Sequence, residues 1–274
     1  MRKRPTNRYT GFIKAGVLGT FVYKFSIFGW LVGDIVALVI YCFLWIAVFA
    51  NSPTATINGF TSTGMLAYVV SARIIGHLVN SSSSFYNVGS DIREGTIANR
   101  LSKPINYRRT QMYSSIGQYI GSFILFFFPL YVPAQLILHF AFGVAFPAWY
   151  NILLFLVSSF LSMLIIDSFD FIIGQVAFFT GALFGVMLVK DAVMSFLSGG
   201  MIPLSFFPQG FQTVFNFLPF SSMLQTPAFI ALGMYSFEEA LIKIAWQCVW
   251  VVFLGLLSYA TFGRTVKRVI SVGG

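Results

Sequence analysis

Few side chains in this sequence can do chemistry, and most of them stand in one place. Ser90 to Asn106, SDIREGTIANRLSKPIN, holds Asp91, Arg93, Glu94, Arg100 and Lys103, and Arg108 and Arg109 follow directly. Asp167 and Asp170 lie three residues apart, which puts them on one face of a helix, and Lys190 is followed by Asp191. The two aspartates could relay a proton or cation. They could equally form a polar patch, or an ion pair with Lys190 or another subunit. Lys190 and Asp191 are adjacent, so they are expected to point to different sides of a helix. His77 and His139 stand alone and read as packing or interface residues rather than catalysts. No GxxxxGK[ST] phosphate loop occurs, so the chain cannot cradle ATP in that way. No Ser/His/Asp or Cys/His arrangement offers a nucleophile, and no metal-site spacing exists. Cys42 and Cys248 each sit inside an apolar run and are expected as free, buried thiols.

The elements that must position these groups are membrane helices. Of 274 residues, 57% are hydrophobic and 9% charged, against about 25% charged in a soluble domain; the mean hydropathy is +0.82. Several apolar stretches exceed the roughly 18 residues of a spanning helix. The net charge of +9 would suggest nucleic acid in a soluble protein, but 14 of the 17 Lys and Arg fall in three clusters, residues 1–26, the central island and the C-terminus. Positive clusters near span ends stay cytoplasmic, and all three can do so only with an even number of spans between each pair. The charge therefore sets topology and favours anionic lipid; nucleic acid is not an expected partner.

Along the chain, Tyr9 to Phe25 mixes aromatics with Lys14 and Lys24 and reads as an interfacial helix whose lysines snorkel to water. The first span is expected over Ile27–Phe49. It starts too late and runs too long for a signal peptide. The second span is expected over Ile57–Val79, with Arg73 and His77 near its inner end; Asp34, near the inner end of the first, reads as structural. Ser81–Ser84 breaks the pattern before the island. The third span, Tyr113–Phe140, contains Pro129 and Pro133, which predict a kink. Tyr150–Pro203 would make about 80 Å of helix, enough for two crossings. The turn between them falls at Asp167–Asp170 or near Thr180–Gly185, and the second choice leaves each crossing long enough. Residues 199–222 hold Pro203, Pro208 and Pro219 among many phenylalanines and predict an outer re-entrant hairpin, surrounded by protein rather than lipid. Glu238 and Glu239 mark an outer loop before a last span over Leu241–Phe262. The expected fold is a single all-α polytopic membrane domain over residues 1–274. It has six transmembrane helices, an interfacial N-terminal part (1–26), a charged cytoplasmic loop (84–110), a re-entrant segment (203–222) before the sixth span, and both termini cytoplasmic.

Several of these stretches together resemble the permease subunits of type-2 ATP-binding-cassette (ABC) exporters. Asp91-Ile92-Arg93-Glu94-Gly95-Thr96-Ile97 and Leu101-Ser102-Lys103-Pro104 resemble a loop of the form D-I-R-x-G-x-L…L-x-K-P, with Ile97 in place of the usual leucine. Leu197-Ser198-Gly199-Gly200-Met201-Ile202-Pro203-Leu204 with Phe207-Pro208 resembles the family's SG…PL…FP stretch; Leu218-Pro219-Phe220 resembles its LPF, and Gly273-Gly274 also fits. The resemblance implies a subunit of the bacterial cytoplasmic membrane, without its own nucleotide site. It would pair with a second permease, identical or paralogous, and with a cytoplasmic ABC ATPase dimer that binds ATP and Mg. It further implies a coupling helix formed by Asp91, Arg93, Glu94, Gly95, Ile97, Arg100, Leu101, Lys103 and Pro104. The outer gate would contain Gly199, Pro203, Phe207, Pro208, Pro219 and Phe220.

The functional expectation is an ATP-driven exporter subunit for an amphipathic or lipidic cargo such as a drug, peptide, lipid or glycan. The 33 phenylalanines favour an apolar pathway. Two other readings stay open. One is a proton-coupled secondary transporter working through Asp167 and Asp170, with Lys190 as a further intramembrane polar residue. The other is a non-transporting membrane scaffold with the island as its docking site.

Overall fold

A computed structural model describes residues 9–22 and 24–272; the expectations placed on residues 1–8 and on Gly273-Gly274 lie outside them. The helices are α1 (Thr10–Val22), α2 (Lys24–Ala50), α3 (Ser62–Val79), α4 (Ser84–Arg93), α5 (Ile97–Leu101) and α6 (Tyr107–Ser122). A π-helical turn, Phe123–Phe127, carries α6 into α7 (Phe128–Phe142). There follow α8 (Trp149–Gly174), α9 (Leu183–Leu197), α10 (Gln209–Phe217), α11 (Pro219–Met223), α12 (Gln225–Ala231) and α13 (Phe237–Val272). Among the described residues, five stretches are long and apolar enough to cross a membrane: 32–50, 62–79, 107–142, 149–178 and 237–267. The protein is an all-α polytopic membrane protein. α9, at 15 residues, is shorter than the usual spanning length of about 20.

Local chemistry sets the boundaries and corrects several expected ones. Thr56-Ile57 and Phe60-Thr61 form a small antiparallel hairpin around Asn58-Gly59, the dipeptide best suited to such a turn. The second long helix therefore begins at Ser62 rather than Ile57, with the Thr61 side chain accepting from the Gly64 amide. The third begins at Tyr107 rather than Tyr113, because the Asn106 side chain caps it by accepting from the Arg109 amide. Glu238 and Glu239 are not in a loop: they occupy the first turn of α13. The Ser236 amide donates to Glu239 Oε2 and the Glu239 amide to Ser236 Oγ, the reciprocal capping of an S-x-x-E sequence.

The prolines of the third long helix coincide with an irregular turn. Pro129 and Pro133 lie inside α7. The ladder adjusts just before them, where the Phe128 amide reaches the Phe123 carbonyl in a widened turn. α8 runs unbroken through Asp167 and Asp170, and the chain turns only at residues 179–182, the second of the two positions considered. The helical part of the proline-rich segment continues past residue 222: Pro208 precedes α10, Pro219 opens α11, and α12 carries the chain to Ala231. Its later part is buried, and Met223 and Ile230 join Met65, Ile75 and Leu78 of α3 and Met163, Ile165 and Ile166 of α8 in the main core.

α1 is more than a surface helix. It crosses α6 at Gly16 and Gly117, so closely that a Cβ on Gly117 would lie 2.1 Å from the Ile13 carbonyl oxygen and one on Gly16 2.3 Å from the Ser114 carbonyl oxygen. Small residues permit this approach where no hydrophobic driving force joins helices in lipid. Lys14 stays on the exposed side. α2, by contrast, leaves most of its apolar surface open, including Ile40 and Phe43. The cysteines are free, but neither is buried: Cys42 is half-buried and Cys248 exposed. Replacing Gly117 by Val should destabilise the protein by about 1–3 kcal/mol through overpacking. A lowered thermal midpoint in detergent would show this. Gly185→Ala, which meets nothing within 4 Å, should leave the midpoint unchanged.

Candidate functional site

The island is two short helices with a sharp turn between them, not one helix with an acidic start and a basic end. α4 stops because Gly95 adopts a left-handed conformation (φ +72°). The Glu94 and Gly95 amides there donate to the Ser90 and Ile92 carbonyls, a usual way to end a helix. Asp91 accordingly lies in the last turn of α4, Glu94 caps that helix, and Arg100 lies near the end of α5.

The side chains divide into an inner and an outer set. Asp91 is buried. Its carboxylate accepts from Tyr107 Oη at 2.7 Å and Thr96 Oγ1 at 2.8 Å, and Arg100 Nε lies 3.6 Å away. Ile97 is buried with Val88, Tyr107 and Phe171, and the Tyr107 ring stacks on Phe262 of α13. Arg93, Glu94, Gly95, Arg100, Leu101, Lys103 and Pro104 are exposed. The inner set fixes the island to α6, α8 and α13, and the outer set lies at the surface, with Arg100 tied back to Asp91. α4 and α6, the turn before α5, and Phe12 of α1 also enclose a polar recess of about 400 Å³.

Behind the island lies a buried polar cluster. Arg108, the second residue of α6, places Nη1 2.6 Å from Asp167 Oδ2. Its Nη2 donates to Ser168 Oγ and its Nε to Ser258 Oγ, each at 2.9 Å, and the guanidinium carbon stands 4.8 Å from the Phe171 ring centre. The other Asp167 oxygen accepts from Ser82, Ser84 and Ser115. Both ionic side chains are nearly inaccessible, 3% and 0% exposed. Such a pair persists in a low-dielectric interior only when its remaining donors and acceptors are satisfied, and here α4, α6, α8 and α13 all contribute. Sequence reading counted Arg108 only as a topological charge and Ser81–Ser84 only as a break in hydropathy. The spacing of Ser82, Ser84 and Ser115 carries no motif.

Asp170 is paired as well. Lys190 Nζ lies 2.9 Å from Asp170 Oδ1 and 3.1 Å from Asp191 Oδ1, so Lys190 and Asp191 meet although they are adjacent. Both candidate relay carboxylates are thus held by cations. At the same level, Asp34 of α2 is bonded by Arg73 and His77 of α3. His139 faces the Val144 carbonyl and stacks on Phe146.

The residues read as an outer gate sit in separate contacts along the proline-broken segment. Tyr68 Oη donates to the Gly199 carbonyl at 2.6 Å, and the Leu204 amide, just after Pro203, donates to Gln225 Oε1. Phe207 contacts Phe196 and Phe215, while Phe220, just after Pro219, packs on Phe169. Gln247 of α13 holds the segment after Pro219 by donating to the Ser222 carbonyl.

The family model described as ABC-2 family transporter protein matches residues 35–273, and the chain belongs to that family. It is the membrane-spanning permease subunit of an ABC transporter, a class that works with an ABC ATPase and has no nucleotide-binding domain of its own. A search of curated protein sequences finds no match.

Arg108→Ala should cost about 3–5 kcal/mol by leaving Asp167 buried and unpaired. The double replacement Arg108→Met, Asp167→Leu should recover much of that loss. Denaturant midpoints of the two variants in detergent check both outcomes.

Proposed function

We propose that the chain is the permease of an ATP-driven exporter and that the exposed edge of the island receives the ATPase. The observation that carries this is the division of the island into two sets. Arg93, Glu94, Arg100 and Lys103 present charge to the surroundings, while Asp91, Ile97 and Tyr107 bind the same short segment to three long helices. A push on the outer set passes directly into α6, α8 and α13. ATP and Mg belong to the partner ATPase, whose closure moves the island as a lever. The charge clusters support an orientation with the island and both termini in the cytoplasm. The membrane is then the bacterial cytoplasmic membrane.

A second permease, identical or paralogous, covers the side formed by α2 and α9, and lipid covers the rest of the apolar surface. Support for this comes from charge: Arg73, His77 and Asp191 are 42%, 44% and 58% exposed on a side otherwise made of membrane helices, and charged groups at membrane depth face protein or water rather than lipid. The cargo is an amphipathic or lipidic molecule that passes between the two permeases, beneath the hairpin that holds Pro203, Phe207, Pro208, Pro219 and Phe220. The two paired aspartates favour this reading over a proton-driven carrier.

Affinity purification in mild detergent should bring down an ATPase of similar stoichiometry. Exchanging the charges, Arg93→Glu with Glu94→Arg, should weaken that association or separate ATP hydrolysis from transport. Unchanged copurification together with unchanged ATP-dependent flux in vesicles would overturn the assignment.

A further inference from the structure

The island-side half of the bundle contains a cavity of about 530 Å³, within the range of small-molecule sites. Asn80, Ser82, Met201, Met223 and Leu224 are among the residues that line it. Two charged triads face it. On the α3 wall, Arg73 and His77 share the single carboxylate of Asp34, which balances Arg73 when the imidazole is neutral. On the α9 wall, the single ammonium of Lys190 serves two carboxylates, Asp170 and Asp191. Among the described residues, that wall therefore carries one more carboxylate than cation. Asp170 is enclosed, whereas Asp191 is 58% exposed and lines the cavity, so the surplus is presented to an occupant.

We infer that this cavity recognises a cationic amphiphile, with its positive head at Asp191 and its apolar body against Met194, Met223 and Phe85. Two carboxylates sharing one ammonium among membrane helices leave a surplus negative charge that costs free energy unless it is matched, and a cationic guest matches it. Thioether side chains adapt to apolar guests of varied shape, and aromatic faces attract cations; the Phe85 ring already lies 5.2 Å from Lys190 Nζ. The inference rests on the permease reading and narrows its cargo. The same head chemistry is offered by a free amine or onium amphiphile and by the ammonium of an ethanolamine lipid.

Tetraphenylphosphonium and tetraphenylborate have the same shape and opposite charge, and equilibrium binding of each can be measured on the full chain with its copurifying ATPase. The complex is placed in phosphatidylglycerol nanodiscs and the signal of empty discs is subtracted. The phosphonium should show a saturable component that Asp191→Asn weakens about tenfold, the scale of one charge-assisted contact, and that Asp191→Glu restores. The borate should show none. Equal binding of the two ions, or phosphonium binding unaffected by Asp191→Asn, would overturn the inference. Including phosphatidylethanolamine separates the two sources: competition with the phosphonium assigns the site to the lipid headgroup, and unchanged affinity assigns it to a free amphiphile. Failure of the permease reading would appear separately, as loss of the ATPase from the wild-type preparation.

Discussion

The ion pair between Arg108 and Asp167 is the constraint on which the island-side half of the molecule depends. Moving either charge out of water is costly, and mutual attraction offsets that cost only with complete hydrogen bonding. Ser82, Ser84 and Ser115 on one side, and Ser168 and Ser258 on the other, supply it. These partners come from widely separated parts of the chain, so satisfying one carboxylate and one guanidinium also sets where α4, α6, α8 and α13 stand. The island inherits that rigidity through Tyr107, the residue next to Arg108, which holds Asp91.

Membrane helices lack the water-driven force that assembles a soluble core, and the bundle shows what replaces it. Glycines bring α1 onto α6, a buried glutamine fastens the segment after Pro219 to α13, and aromatic rings fill the end away from the island. Phe60, Tyr68 and Phe229 meet there edge to face. α2 has little of this beyond the bonds from Arg73 and His77 to Asp34 and the packing of Trp45 on Phe206. Among its described residues much apolar surface stays exposed, and Leu38 and Tyr41 line the cavity.

Much of this architecture was legible in the sequence because hydropathy and proline are local signals. Long apolar runs mark α2, α8 and α13, and the prolines at 203, 208 and 219 mark the broken hairpin. The hydropathy dip at Asp167–Asp170 is not a turn, because both carboxylates are paired inside the bundle and the helix continues through them. The boundaries were less legible where a polar residue caps a helix: Asn106 and Ser236 each begin one earlier than hydropathy suggests. The island was visible as a charge run, yet its two roles were not. Whether Asp91 or Arg93 turns inward depends on the left-handed turn at Gly95 and on Tyr107, a residue that composition alone places among ordinary aromatics. The serines around the Arg108–Asp167 pair come from residues 82 to 258, a separation at which no pattern of spacing survives.

The glycine crossing of α1 and α6 has a consequence for how the protein is made. The surface that receives Gly16 belongs to a helix synthesised only after α2, α3 and the whole island have left the ribosome. Until then α1 has no partner for its small-residue face, and α2 has little to hold it. Assembly of the amino-terminal part therefore waits for α6. Truncated nascent chains ending before Gly117 are the species in which the quality-control proteases of the membrane would meet α1 unprotected.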